Sequence, residues 1–196
     1  MPLAAKPIPT YQLRIHLRDL TPDIWRRVRV PGSMTLDELH LVIQVAMGWE
    51  NAHLYAFRKG TESYETNWEG QPSGPLDCRR LRLADLGLKV RSKLEYEYDF
   101  GDSWMHVIKV EKVEALGPSL LPVCLAGENA CPLEDCGGSD GYCELVIALH
   151  DPGHPDHEHY KEWVDEPFDP FAFDLEEVNR TLTAMFTSKK SRKSKP

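Results

Sequence analysis

The sequence is first informative for what it lacks. No run of 18 apolar residues occurs in its 196 positions, so no segment has the length and polarity of a bilayer-spanning helix. The opening MPLAAKPIPT holds no apolar stretch of signal-peptide length, which sets the expectation of a cytoplasmic protein with no membrane contact. Gly-x4-Gly-Lys-Ser/Thr and Gly-x-Gly-x2-Gly are both missing, and with them the backbone cradles that hold nucleotide phosphates. No two cysteines stand at the Cys-x2-Cys spacing of zinc knuckles, and an odd total of five does not suit a disulfide framework. No internal repeat is present.

What is there is ordinary for a folded domain: 41% hydrophobic and 28% charged residues, which excludes wholesale disorder, collagen and coiled coil. The charge is unevenly placed. Lys189, Lys190, Arg192, Lys193 and Lys195 fall in the last nine residues, among no acids, while the whole chain has 23 bases and 31 acids. Without those five, 18 bases face 31 acids, a body at −13 that repels phosphate backbones. Nucleic acid is therefore expected only at the basic tail, which is read as a disordered terminus from 188 to 196.

Residues 1 to 9 hold three prolines and read as an irregular lead-in. Tyr11, Leu13, Ile15 and Leu17 alternate with polar residues, the period of a half-buried strand. Ile24 to Val30 reads as its hairpin partner. Thr35 and Glu38 have capping-box spacing. Leu36, Leu39, Val42, Ile43, Ala46 and Met47 then form one apolar helical stripe, and Gly48 stands where a left-handed cap belongs. His53 to Arg58 reads as a strand, Gly60 to Pro75 as a long loop with at most a short strand, and Leu81 to Leu88 as a short turn.

Leu94 to Val110 reads as a second hairpin with two competing registers. A Gly101-Asp102 turn sets Tyr98 against Met105. A Gly101-Asp102-Ser103 loop sets Phe100 against Trp104 and Tyr98 against His106, gathers the large apolar groups on one face, and is favoured by burial. The 116–141 stretch reads as irregular. Tyr142 to Leu149, Asp156 to Val164 and the segment after Asp174 read as helices. Hairpins with one helix between them, followed by helices, make an α+β order in one domain over 10–187, with a mixed or mainly antiparallel sheet packed by the 35–47 helix and the C-terminal helices.

Four constellations could carry chemistry. Cys124, Cys131, Cys136 and Cys143 cluster at spacings x6, x4 and x6; four thiolates could close a tetrahedral zinc site, with His154 or His157 able to replace Cys143. Asp99, Asp102 and His106 flank the second hairpin turn and, with Glu134 and Asp135, could bind a divalent cation or act as acid and base; turn chemistry and packing account for the same residues. Trp49, Tyr98 and Trp104 are the aromatic ligand-binding candidates. His150, His154, His157 and His159 crowd one proline-broken connector and could capture transition metals, although His157 and His159 cannot face one way on a helix.

The strings PDIWRRVRVPGSMTLDELHLVIQVAMGW, HLYAF, YEYDFGDSWMH, PVCLAGENACPLEDCGG, GYCELVIAL, DPGHPDH and FDPFAFDLEEVN, in this order, make the chain resemble the plasmid pRiA4b ORF-3-like family, from about Tyr11 to Asn179. The resemblance implies a single α+β domain without an established activity, found on plasmids and beside transposons. Some members carry a transposon-passenger resolvase label. The residues do not support it here, since the first 30 positions contain no serine and the body is acidic. The expectation is a non-enzymatic binding or accessory module linked to mobile elements, with a protein partner. The alternative is a metal-dependent hydrolase or nuclease using the 98–106 turn and the 131–138 loop, and a structural zinc fold is the third reading.

Overall fold

The computed structural model describes residues 8–65, 76–115, 121–164 and 167–193. The alternation at 11–17 becomes β1 (Thr10–Leu17), which pairs antiparallel with β2 (Trp25–Pro31) on one side and β6 (Trp104–Glu114) on the other. β6 pairs with β5 (Lys93–Tyr98), β5 with β3 (Tyr55–Lys59), and β3 with β4 (Glu62–Glu65). At the other edge β2 pairs with β7 (Val123–Glu128). The result, among the described residues, is a seven-stranded antiparallel sheet in the order β4-β3-β5-β6-β1-β2-β7, with four α-helices: the α+β class that the two hairpins predict.

The sheet has two chemically different faces because its side chains alternate. Leu13, Ile15, Val28, Phe57, Leu94, Tyr96, Tyr98, Ile108 and Val110 are buried together. On the other face Arg27 pairs with Glu111 at 2.6 Å and Arg58 with Glu97 at 2.7 Å, and Arg14 lies 4.4 Å from the Trp25 ring centroid.

Helix α1 (Leu36–Met47) covers the apolar face. Its capping box is formed: Glu38 N–H donates to Thr35 Oγ1, and Thr35 N–H to Glu38 Oε2, each at 3.1 Å. Gly48 closes the other end at φ 91°, and the N–H groups of Gly48 and Trp49 donate to Gln44 O at 2.9 and 3.0 Å. The last turn of α1 has no basic residue of its own. Arg26 supplies one from β2, donating Nε–H to Ala46 O at 2.7 Å. Its other donors reach Trp25 O, Glu128 O and Asn129 O. This guanidinium is 2% exposed and rests on carbonyls alone, with Phe173 stacked 4.1 Å away; burial lowers its pKa. It ties β2, α1 and the end of β7 together.

Strand β7 is an edge, and exposed edges recruit other strands. Helix α4 (Leu175–Lys193) blocks it: Asn179 accepts from Cys124 N–H at 2.8 Å and donates to Cys124 O at 2.9 Å. Asp174 caps α4 by accepting from Glu177 N–H, and Leu182 and Phe186 are buried. Helices α2 (Gly138–His150) and α3 (His157–Trp163) complete the fold.

Several expectations are corrected. Neither register of the second hairpin occurs: Tyr98 faces Trp104 and Tyr96 faces His106, so five residues form the loop. Asp99 and Ser103 both adopt left-handed φ, 55° and 54°, and Ser103 N–H donates to Asp99 O at 2.6 Å. The shift from the favoured register is two residues, which keeps the buried face intact; only Phe100 leaves it, at 45% exposed. The 116–141 stretch is not irregular throughout, because β7 lies within it. The loop after Gly60 holds β4, in keeping with the short strand that the sequence allows there, and 66–75 lies outside the described residues. Helix α4 runs through Lys193, and 194–196 lie outside the described residues.

Candidate functional site

Three segments meet at one end of the sheet. The first follows α1: Asn51 takes φ 61°, donates N–H to Gln44 Oε1 at 2.9 Å, and engages His40 Nε2 through Oδ1. His40 stacks on Tyr55 with centroids 3.6 Å apart, and its Nδ1 lies 2.8 Å from the Tyr96 hydroxyl. Gln44 donates to the same hydroxyl. The network assigns the tautomer: His40 donates through Nε2 to Asn51 and accepts through Nδ1 from Tyr96. This buried frame delivers His53.

The second segment is the tip of the β5–β6 hairpin. Asp99 N–H donates to Leu54 O at 2.9 Å, and Asp99 Oδ1 accepts from Gly101 N–H at 2.9 Å. The third is the loop after β7, tied down by Trp49 Nε1–H to Pro132 O at 2.9 Å. Asp102 accepts from Gly137 N–H at 3.1 Å. Gly138 follows at φ 70° and sits so close to the hairpin that a Cβ there would meet Asp102 O at 2.9 Å. The two glycines thus let the chain's own hairpin tip approach the backbone closely.

His53 is the meeting point. Its Nδ1 is 3.7 Å from Asp99 Oδ1, and its Nε2 is 3.2 Å from Asp135 Oδ1 and 3.5 Å from Glu134 Oε2. Nε2 is sealed from solvent, yet none of these approaches has hydrogen-bond geometry at that atom. His53, Asp99 and Asp135 offer donor atoms within 4.8 Å of one another. Glu134 is held from behind: the Tyr98 hydroxyl donates to Oε1 at 2.9 Å, Glu50 N–H donates to the same oxygen, and Ala52 N–H donates to the Tyr98 hydroxyl at 3.0 Å. Burial first and Glu134 second raise the Tyr98 pKa.

Of the sequence candidates, then, Asp99, Glu134 and Asp135 converge. Asp102 is spent on Gly137, and His106 goes elsewhere. His106 is fully buried, its Nδ1–H directed at Trp104 O at 2.9 Å, and burial lowers its pKa to about 4. Trp49, Tyr98 and Trp104, at 7%, 0% and 2% exposed, form a core wall and not an open ligand face. Trp49 stacks on Tyr98 at 4.9 Å and meets His106 edge-on at 5.3 Å.

The four cysteines of the zinc expectation turn to separate surroundings. Cys131 donates its thiol to Met47 Sδ, Cys124 turns to Ala126 O, and Cys143 is exposed on α2. Among the described residues no metal-capable group of three includes a cysteine. Burial raises the thiol pKa of Cys124 and pushes those of Cys131 and Cys136 to about 12. The crowded histidines also disperse: His150 Nδ1 turns to Val146 O and His157 Nδ1 to Ala148 O, His159 lies against Tyr160, and His154 sits 3.4 Å from Glu144.

Sequence reasoning missed two features. His53 reads as a strand residue, whereas β3 starts two residues later and His53 belongs to the loop; its proximity to an αL-prone Asn was the available signal. Gly137-Gly138-Ser139-Asp140-Gly141 also spells Gly-x-Ser-x-Gly. It opens α2 from a loop and not from a strand, and the left-handed φ falls on Gly137 and Gly138, not on Ser139, so the nucleophile-elbow geometry is not formed.

Among the described residues no helix is long and apolar enough to cross a membrane. The family model for the plasmid pRiA4b ORF-3-like protein matches residues 9–177. The uncharacterized protein y4hQ of Sinorhizobium fredii is 37% identical over 191 residues, which span 93% of this chain and 97% of that protein. A crystal structure of a protein of unknown function from Methanosarcina mazei Go1 superposes with a TM-score of 0.77 at 32% identity, covering 88% of this chain and 99% of that one. By a match that runs from the lead-in to the start of α4, the chain belongs to the plasmid pRiA4b ORF-3-like family.

Proposed function

We propose that the protein is a non-enzymatic binding module whose partner is a protein segment. The observation that carries this reading is an apolar cleft of about 390 Å³ beside α2, walled by Pro22, Tyr142, Val146, Ile147 and Phe171. Ile147 and Phe171 are 56% and 66% exposed at its mouth, large apolar side chains of the kind that anchor interfaces. Glu144 on α2, Asp151 and Asp156 in the connector between α2 and α3, and Glu158 on α3 are exposed. The chain's net charge of −8 fits an apolar segment flanked by lysine or arginine. The basic run from Lys189 to Lys195 supports nucleic-acid contact as an optional addition, and the accessory role beside mobile elements rests on family membership alone.

The second reading, a metal-dependent hydrolase or nuclease, is favoured by the gathering of Asp99, Glu134 and Asp135. It ranks below the first because two of its five members, Asp102 and His106, have structural employment.

Fluorescence polarisation with a labelled amphipathic Leu/Lys peptide tests the first reading. The wild-type chain is expected to bind it, and the Ile147→Glu/Phe171→Glu double variant, altered at exposed positions, to lose at least tenfold in affinity. Equal binding by both chains overturns the cleft. Phosphodiester or peptide turnover that disappears in Asp99→Asn overturns the non-enzymatic reading.

A further inference from the structure

Three carboxylates around His53 have too little positive charge. Asp99, Glu134 and Asp135 each pair with His53, and among the described residues no lysine or arginine pairs with any of them. Even a protonated imidazole supplies only one positive charge against three negative ones. Asp99 is 7% exposed, and a buried carboxylate is costly without a counter-charge or full hydrogen bonding. Elsewhere the protein obeys this rule: buried Asp77 has Arg79 at 3.2 Å and a second arginine, Arg80, at 3.9 Å.

We infer that His53, Asp99 and Asp135 form a divalent metal site of the zinc or manganese class, with Glu134 as a positioning residue. One imidazole nitrogen and carboxylate oxygens are a ligand set for these borderline ions. With one donor atom taken from each residue, His53, Asp99 and Asp135 all lie within 4.8 Å of one another, and donors on a tetrahedral zinc at about 2.1 Å lie about 3.4 Å apart, so a small closure of the three loops seats the ion. The donors come from three separate segments, so the ion acts as a clip between the α1–β3 loop, the hairpin tip and the loop after β7. Asp135 is 72% exposed at its side chain, which leaves the site open to an incoming ion, while Tyr98 and Glu50 N–H hold Glu134 in place. The site does not depend on the α2 cleft and makes no claim of turnover.

Isothermal titration of the metal-stripped full chain with ZnCl2, and separately with MnCl2, tests this. One equivalent is expected to bind wild type. His53→Gln and Asp135→Asn are each expected to weaken that binding at least tenfold, and His154→Gln, in the exposed Glu144 group, to leave it unchanged. Asp135 has φ 58°, a conformation that asparagine tolerates well, so Asp135→Asn keeps the fold, with circular dichroism as the check. Absence of binding to wild type overturns the proposal. So does wild-type-like binding by Asp135→Asn, or loss of binding in His154→Gln alone.

Discussion

Removing one oxygen should loosen the junction of three loops. Tyr98 is fully buried. Its hydroxyl donates to Glu134 at 2.9 Å and accepts from Ala52 N–H at 3.0 Å. Tyr98→Phe keeps the ring and its stacking on Trp49 but deletes both bonds together with the longer one from His53 N–H at 3.4 Å. A hydrogen bond to a charged acceptor contributes about 1.5–3 kcal/mol, and one from a backbone N–H about 1 kcal/mol. Glu134 keeps its bond from Glu50 N–H and is 17% exposed at its side chain, so the carboxylate recovers part of the loss from water. The expected net destabilisation is about 2–3 kcal/mol, or about 5–10 °C in Tm for a chain of this size. Urea denaturation should show a lower midpoint with an unchanged m-value. A double-mutant cycle with Glu134→Gln should return a coupling above about 0.5 kcal/mol, because the two groups touch. A Tm loss under about 2 °C, or zero coupling, would refute the assignment of Tyr98 as the post that holds Glu134.

Three further outcomes follow from the same reasoning. Arg26→Met matches the aliphatic stem but leaves four carbonyls, including that of Ala46 at the end of α1, without their donor; chemical denaturation should show a loss of about 3 kcal/mol or more. Asn179→Ala unpairs Cys124 N–H and C=O at the sheet edge, and should cost about 1–2 kcal/mol and speed amide exchange at Cys124. For His106, burial holds the folded pKa near 4, below the ordinary 6.5. The neutral ring is favoured by folding, so its contribution is complete above pH 6.5 and is lost as pH falls toward 4, by about 3 kcal/mol in all. The stability difference between wild type and His106→Phe should slope across that window, and a flat difference would exclude His106 as its source.

The parts of the fold that were legible in the sequence are those where side-chain periodicity meets one buried face. Tyr11 to Leu17 and the α1 stripe each advertise a face, and each lies where the pattern places it. Strand β7 was not legible, because only Cys124 among its six residues is buried, and its inner edge is completed by pairing with β2 while Asn179 arrives from 55 positions away. The hairpin register was half legible. Burial sets the parity of a pairing but does not distinguish slips of two residues; the left-handed Asp99 and Ser103 decided between them. The candidate site was legible as a set of acids and illegible as a centre. Alternation correctly marks His106 as part of a strand, and an inward strand position is where imidazole loses its charge and its access to ligands.

The contrast between His106 and His53 explains where chemistry can reside on this scaffold. A sheet whose inner face is filled by Tyr96, Tyr98 and Trp104 desolvates any titratable group it carries, so reactive groups must come from turns at its end. There the backbone spends conformational energy: Asn51, Asp99, Ser103 and Asp135 all adopt positive φ, at a cost on the order of 1 kcal/mol each for residues other than glycine. Asparagine and aspartate bear that cost most easily, because their short side chains bond the neighbouring backbone, as Asp99 does with Gly101 N–H. The residues best suited to making these turns are therefore also carboxylates, and packing three such segments against the Trp49–Tyr98 wall brings the carboxylates together whether or not a ligand is the reason. Turn chemistry accounts for why the acids are present, but it supplies no cation to balance them. The distinguishing quantity is the charge around His53, and it is the one that metal titration reads directly.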